Sequence, residues 1–320
     1  MRLAVTIICI PLAAPAVARD ILLGLPIDCD LDNVCYIQQF VDHDPTDAAI
    51  DFACGTLTYD GHTGTDFALP SRAMVESDVN VIAAASGTVR RVHDGMPDIL
   101  QGQPGAPDTT NRECGNGVVI SHGDGWETQY CHMKRGSITV LPGDRVAMGQ
   151  ILGQVGMSGE SEFPHLELTL RENGAVVDPF DPDGAITCAV SDETLWTVPV
   201  ATPAGGIISI GFSPRVPAYG RIKAGDAGAV TLTPTDDLVL WGYGFGGRTR
   251  DVMITTITTP DGTEIETRSD LLERPQAQYF RAGGRRAPDG GWPVGVYGGT
   301  VTILRDGVAF DVRTATINVR

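Results

Sequence analysis

Short apolar or alternating runs recur between glycine and aspartate turn signals along the whole of this 320-residue chain, and no stretch sustains a 3.6-residue apolar period. That pattern restricts the chain to a mostly β architecture. The clearest run begins His165-Leu166-Glu167-Leu168. On a strand alternate side chains share a face, so His165 and Glu167 point one way and the leucines point into a core. Further strands are expected over residues 79–85, 87–92, 117–121, 127–132, 150–155 and 165–171. The stretch 36–41 reads as either a short strand or a helical turn. Residues 94–112, rich in Pro, Gly, Asp and Gln, show no periodicity, and a loop of that length is usually functional or disordered.

A composition shift follows Asp178-Pro179-Phe180-Asp181-Pro182. Beyond it, Val/Ile/Thr-rich runs over 229–233, 238–241, 252–258, 300–304 and 308–319 alternate with the turns Pro260-Asp261-Gly262 and Arg305-Asp306-Gly307. Residues 195–320 are therefore expected to form an immunoglobulin-like β-sandwich. They hold no cluster of His, Cys or acidic residues that would carry chemistry, so this region is read as a candidate surface for a protein or glycan partner. The chain divides into a signal peptide over 1–18, an acidic, cysteine-bearing lead-in over 19–55, a central domain over 56–185 and the sandwich.

The signal peptide rests on a three-part pattern. Arg2 is followed by an apolar run to Val17, and Ala16-Val17-Ala18 forms a small-residue cleavage site. No later run reaches the roughly 20 apolar residues of a membrane span. The formal charge of −17 argues against nucleic acid and anionic membranes as partners. Six cysteines lie beyond the signal, an even number with no Cys-x-x-Cys pair, which favours disulfides in an exported protein. Of the 15 connectivities that six cysteines allow, two pairings are physically favoured. Cys29 and Cys35 close a short loop, and Cys114 and Cys131 flank a hairpin turning at His122-Gly123-Asp124-Gly125. Cys54 and Cys188 are then left to tie the start of a domain to its end.

Three histidine sites carry the candidate chemistry. His62 and Asp66 form a His-x-x-x-Asp pair around Gly64, a glycine that lets the chain turn so imidazole and carboxylate converge. His165 and Glu167 project side by side from their strand. His132 ends the strand 127–132, on the face of Tyr130, with Cys131 behind. A glycine series at positions 143, 149, 153, 156 and 159 leads into Pro164-His165. His43, His93 and His122 sit in polar turns and read as surface histidines. Asp28-Cys29-Asp30-Leu31-Asp32-Asn33 has neither the central glycine nor the closing glutamate of a calcium loop.

In order and spacing these elements resemble the lysostaphin-type, or LytM-domain, zinc metallopeptidases. The stretches that carry the resemblance are Gly61-His62-Thr63-Gly64-Thr65-Asp66-Phe67, Val81 through Val89, Gly115-Asn116-Gly117 through His122, Tyr130-Cys131-His132-Met133, Pro164-His165-Leu166-Glu167, and Asn173-Gly174 before Asp178-Pro179. Together they cover roughly residues 57–182. The resemblance implies a domain of antiparallel sheets (a duplicated hybrid motif) that cuts peptide bonds of bacterial peptidoglycan in the periplasm or outside the cell. It implies Zn²⁺ as cofactor, His62 and Asp66 as metal ligands, and His132 and His165 as catalytic histidines. The third ligand position, a histidine in the family, holds Glu167 here. Two carboxylates would cancel the charge of Zn²⁺ and make it a weaker Lewis acid. The competing expectation is a weakened LytM-like module that binds cell wall or activates a separate amidase. Tyr59 is a candidate donor to the oxyanion.

Overall fold

The structure, a computed structural model, describes residues 21–31, 33–184, 188 and 193–320. The expected signal peptide lies outside the described residues. In the first part of the chain the strands are β1 (Tyr36–Gln39), β2 (Thr65–Ala68), β3 (Asn80–Ile82), β4 (Gly87–His93), β5 (Gly117–Gly123), β6 (Trp126–Cys131), β7 (Arg145–Val146), β8 (Ile151–Gln154), β9 (His165–Glu172) and β10 (Ala175–Val177). In the second part they are β11 (Gly206–Ser213), β12 (Thr231–Leu232), β13 (Leu238–Gly247), β14 (Val252–Thr258), β15 (Glu264–Arg268), β16 (Gln276–Arg285), β17 (Gly295–Arg305) and β18 (Val308–Val319). A short α-helix, α1 (Tyr219–Ala224), joins β11 to β12.

The first sheet runs β1-β2-β9-β6-β5-β4-β7, with β10 folded back on β9 and every pairing antiparallel. β9 lies inside the sheet, paired on its two edges with β2 and β6. Leu166, Leu168 and Leu170 are at most 1% exposed and pack with Phe67, Val118, Ile120 and Tyr130. Each such leucine contributes roughly 1.5–3 kcal/mol of burial, where the exposed Arg90–Glu127 pair at 2.5 Å is worth about 0–1 kcal/mol.

Residues 36–41 resolve to a strand: β1 pairs with β2 and forms the edge of this sheet. Phe40 and Phe52 from the lead-in pack with Phe180, ring centroids 5.1–5.3 Å apart. Three disulfides join Cys29–Cys35, Cys54–Cys188 and Cys114–Cys131, matching the sequence expectation and suited to an oxidising compartment. Among the described residues, no helix is long and apolar enough to cross a membrane.

His43 is not the surface histidine expected from its turn-like surroundings. Its Nε2 lies 2.9 Å from Asp178 Oδ2 and its Nδ1 lies 3.9 Å from Asp181, tying the lead-in to the far end of the first sheet region. The hydrogen bond to Asp178 raises the His43 pKa against the opposing effect of burial, with Asp178, Asp181 and Asp42 adding favourable charge. A histidine with a raised folded pKa contributes stability that is fully present below its unfolded value, about 6.5, and lost as pH rises through the folded value. The stability difference between the wild type and His43→Gln is therefore expected to be largest near pH 5.5 and to shrink by pH 8.5. Urea midpoints at both pH values measure it, and a pH-independent difference would contradict the coupling.

The second part forms a three-stranded sheet, β11-β13-β16, and a five-stranded sheet, β12-β18-β17-β14-β15, whose facing side chains share one core that includes Phe212, Leu240, Met253, Tyr297 and Val301. Two packed sheets agree with a sandwich. The five-stranded sheet includes one parallel pair, β12–β18.

Candidate active site

Register assembles the site. β2 pairs with β9 so that Asp66 lies opposite Glu167 and Ala68 opposite His165, and β6 places Cys131 opposite Glu167 from the other side. Asp66, Glu167 and Cys131 thus form one row across three strands. His62 comes from the loop before β2, and His132 follows β6 directly. All four residues with the greatest chemical potential, His62, Asp66, His132 and His165, are at most 4% exposed.

His132 corrects the expected strand alternation. It lies just beyond β6 at φ 61°, in the left-handed region that non-glycine residues rarely adopt. Tyr130 faces the core, fully buried, and its hydroxyl accepts the Ala84 N–H at 2.7 Å. The turn of the backbone at His132 brings its imidazole to the opposite face, beside Gln129 and Cys131 on the cleft wall. The Cys114–Cys131 disulfide is therefore on the histidine's side of the sheet, not behind it.

All three imidazoles are oriented in the same way. Nδ1 of His62 lies 2.7 Å from the Phe40 carbonyl, that of His132 2.8 Å from Ser158 O, and that of His165 2.8 Å from Phe163 O. A carbonyl only accepts, so each Nδ1 carries a hydrogen and donates it. Each Nε2 is thereby turned toward a carboxylate: His62 to Asp66 Oδ1 at 3.1 Å, His165 to the same oxygen at 3.7 Å, and His132 to Glu167 Oε2 at 3.3 Å. Such contacts are attractive only with a proton on Nε2 or a cation between the partners.

Burial lowers the His62 pKa, but Asp66 and Glu167 outweigh it and bring the group up to about 9. Burial holds His165 down at about 4, with Asp66 opposing and His132 reinforcing the shift. For His132, burial is outweighed by the hydrogen bond and charge of Glu167, and the net shift is upward. Burial would raise Glu167, yet the facing histidines, His132 foremost, hold it well below the usual carboxylate range.

The donor set suits a divalent metal chemically. A histidine that gives its Nδ1–H to a backbone carbonyl while presenting Nε2 beside a carboxylate is the common arrangement behind a metal ligand, and His62 has it. In the present side-chain positions Glu167 turns to His132, and among the described residues no three His, Cys, Asp or Glu side chains are spaced to hold one ion.

Gly64 serves a different purpose from the turn expected of it. Its φ is not left-handed, and a Cβ there would lie 2.6 Å from Glu167 Cγ. The missing side chain leaves room for Glu167.

A cleft of about 980 Å³ opens over the row. Tyr59 lines it, half exposed, with its ring 4.6 Å from that of His62. Burial, then the charges of Asp66 and Glu167, raise the Tyr59 pKa and keep the phenol neutral. The 94–112 loop forms no strand or helix but is anchored: Asn116 accepts the Met96 N–H at 2.8 Å and donates to the carbonyls of Met96 and Met133. Its Gln101 reaches the cleft. His93 is exposed as expected, whereas His122 is part-buried, 2.8 Å from Thr128 Oγ1.

The far wall has no counterpart among the sequence expectations. Tyr219, Lys223 and residues 274–278, all from the second part of the chain, also line the cleft. Their only sequence signal is the polar stretch Arg274-Pro275-Gln276, which carries no recognisable motif.

Residues 60–179 match the family described as "Peptidase family M23". Over 118 residues, 37% of this chain and 22% of the relative, the sequence is 32% identical to the DD-carboxypeptidase/endopeptidase Mpg of Neisseria meningitidis. It is also 32% identical over 117 residues to the peptidoglycan DD-endopeptidase ShyA of Vibrio cholerae, with 37% of this chain and 22% of that protein covered. The chain thus spans about a fifth of the length of these curated relatives. Among solved structures, a point mutant of the catalytic domain of the prophage-encoded M23 protein EnpA of Enterococcus faecalis is 29% identical. That match covers 45% of this chain and 89% of the other, with a TM-score of 0.29. Taken with the ordered motifs and the cluster of His62, His132 and His165 about Asp66 and Glu167, the family match over these positions identifies residues 60–179 of this chain as a peptidase family M23 domain of the LytM type.

Proposed function

We propose that the chain is an exported metal-dependent endopeptidase that hydrolyses peptide bonds of bacterial peptidoglycan, in the periplasm or outside the cell. Residues 56–185 are its catalytic domain, and the sandwich over 195–320 walls the cleft. The observation that carries this reading is the convergence of three carbonyl-anchored imidazoles on Asp66 and Glu167 at the base of an open cleft.

His62, Asp66 and Glu167 would hold the ion, for which zinc is the reading. When bound, it would polarise the scissile carbonyl and acidify water. His132 and His165 stand with ring centroids 4.5 Å apart and both Nδ1 atoms tied to the backbone. Fixed in that way, one takes a proton from the attacking water and returns it to the leaving amine. The other, with the Tyr59 hydroxyl, faces the oxygen on which negative charge develops. The anchored rings need no reorganisation during the reaction.

One observation favours a second reading. Glu167 occupies the position of the family's third histidine ligand and pairs with His132. A site weakened by that exchange would leave a module that binds wall or activates a separate amidase. Digestion of purified peptidoglycan with and without chelator, with products read by mass, separates the two. New peptide termini that disappear with chelator are expected, and absent or chelator-insensitive cleavage would remove the enzyme reading.

A further inference from the structure

The chain is strongly acidic, with 40 Asp and Glu against 23 Lys and Arg. Cations in such a chain are readily paired, yet Arg171 and Arg274 line the cleft without an ion pair among the described residues. Arg171 lies on β9, on the face of Glu167 and Thr169 and four residues beyond Glu167, about 13 Å along an extended strand. Its Nη1 donates to Gln129 Oε1 at 2.9 Å, and Gln129 in turn donates to Cys131 Sγ at 3.1 Å. One of five guanidinium hydrogens is thus used, and the group is held in place with the rest available.

Arg274 comes from the other wall. The segment after it is fixed to β1 by a polar network in which Gln38, 1% exposed, donates to Ala277 O at 3.0 Å. Gln278 donates to Gln38 Oε1 at 3.1 Å and to the Tyr36 hydroxyl at 3.2 Å. Tyr36 stands at the level of His165 in the sheet and Gln39 at that of Glu167. β16 therefore passes β1 so that Arg274, three residues before Ala277, lies toward the end of the cleft where β9 carries Arg171. The opposite end is acidic: Glu160 and Glu162 precede β9, and Glu113 is joined to Glu160 by a backbone hydrogen bond of 2.7 Å.

We propose that Arg171 and Arg274 form a carboxylate-binding subsite that spans both parts of the chain. It anchors a peptide substrate by an anionic group about four residues from the bond to be cut. Guanidinium groups suit this because they bind carboxylates bidentately and stay charged. The proposal rests on the reading of the site as a peptide hydrolase, and it makes the C-terminal sheets part of substrate selection.

The test uses the full chain and cross-linked peptides released from peptidoglycan, either with free carboxyl groups or after conversion to carboxamides with carbodiimide and ammonia. Arg274→Ala is expected to raise KM about tenfold for the free-acid peptides, with kcat within about twofold, and to leave the amidated peptides unaffected. Lys223→Ala, at the acidic end beside Glu162 O (3.5 Å), controls for bulk charge. Equal losses on both peptide sets, no loss on either, or the same loss in Lys223→Ala would overturn the subsite. Calorimetry in a His165→Ala background reads binding without turnover. If the wild type cuts neither peptide set but binding still requires free carboxyls and Arg274, the hydrolase reading fails and the subsite stands. If cleavage occurs with no Arg274-dependent preference for free acids, the subsite fails and the hydrolase reading stands.

Discussion

Replacing His62 with alanine is expected to strip the protein of bound metal and reduce peptidoglycan hydrolysis by at least about 10²–10³-fold, the scale lost when one catalytic donor is removed. The argument lies in the hydrogen bonds of the ring. Its Nδ1–H is committed to Phe40 O at 2.7 Å, so Nε2 is the only nitrogen available to a ligand, and it already sits 3.1 Å from Asp66. Alanine removes that ligand nitrogen and leaves the buried Asp66 without its 3.1 Å partner, while Glu167 keeps His132. The fold should persist, because one side-chain hydrogen bond is lost while the Phe40 carbonyl keeps the Thr58 hydroxyl at 2.8 Å, a cost of about 1–3 kcal/mol. Metal content by elemental analysis, a melting curve and mass-resolved digestion measure the three effects separately. Near-stoichiometric metal in the variant would mean that His62 is not a ligand.

What is legible in the sequence is whatever repeats locally. The alternation in His165-Leu166-Glu167-Leu168 locates β9 to within one residue, and the run to Val319 locates β18. The order of the motifs suggests one site for His62, Asp66, His132, His165 and Glu167, and in the fold these residues lie together. β2 reads only as a turn, because Thr65–Ala68 is too short to show a period. Its extended form comes from pairing on both edges, with β1 and β9. The expected end of β13 is Trp241, but the strand continues to Gly247. Its glycines resemble turn residues in sequence, yet a Cβ at Gly242 would meet Val301 at 2.6 Å, so Gly242 is there to admit the facing sheet. β11 and β16 have no counterpart among the expected strands.

Two features of the site depend on information that no local pattern carries. The face on which His132 lies follows from one left-handed residue, and strand alternation alone assigns the wrong side. The far cleft wall depends on contacts such as Gln38 with Gln278, 240 residues apart. Neither spacing nor composition signals them.

Gly64→Ala is expected to lower metal affinity about 10–100-fold, the range for changes that misplace a ligand through its support, while the protein stays folded. Gly64 is buried between His62 and Asp66, and its backbone needs no left-handed conformation, so alanine meets no backbone penalty there. The new methyl would instead sit 2.6 Å from Glu167 Cγ and 2.8 Å from Oε1. Cγ is close to the β9 backbone and cannot swing away as a side-chain tip could, so the carboxylate must be displaced. The overpacking costs about 1–3 kcal/mol, partly offset by about 0.4–1 kcal/mol from the stiffer unfolded chain. Gly61→Ala provides the contrast. At φ 76° and with nothing within 4 Å of a Cβ, it should cost about 1–2 kcal/mol in stability and leave metal affinity nearly unchanged. Competition against a chelator gives both affinities, and urea midpoints give both stabilities. Wild-type affinity in Gly64→Ala itself would show that the position of Glu167 is immaterial to the ion, and with that the assignment of Glu167 as the third ligand would fall.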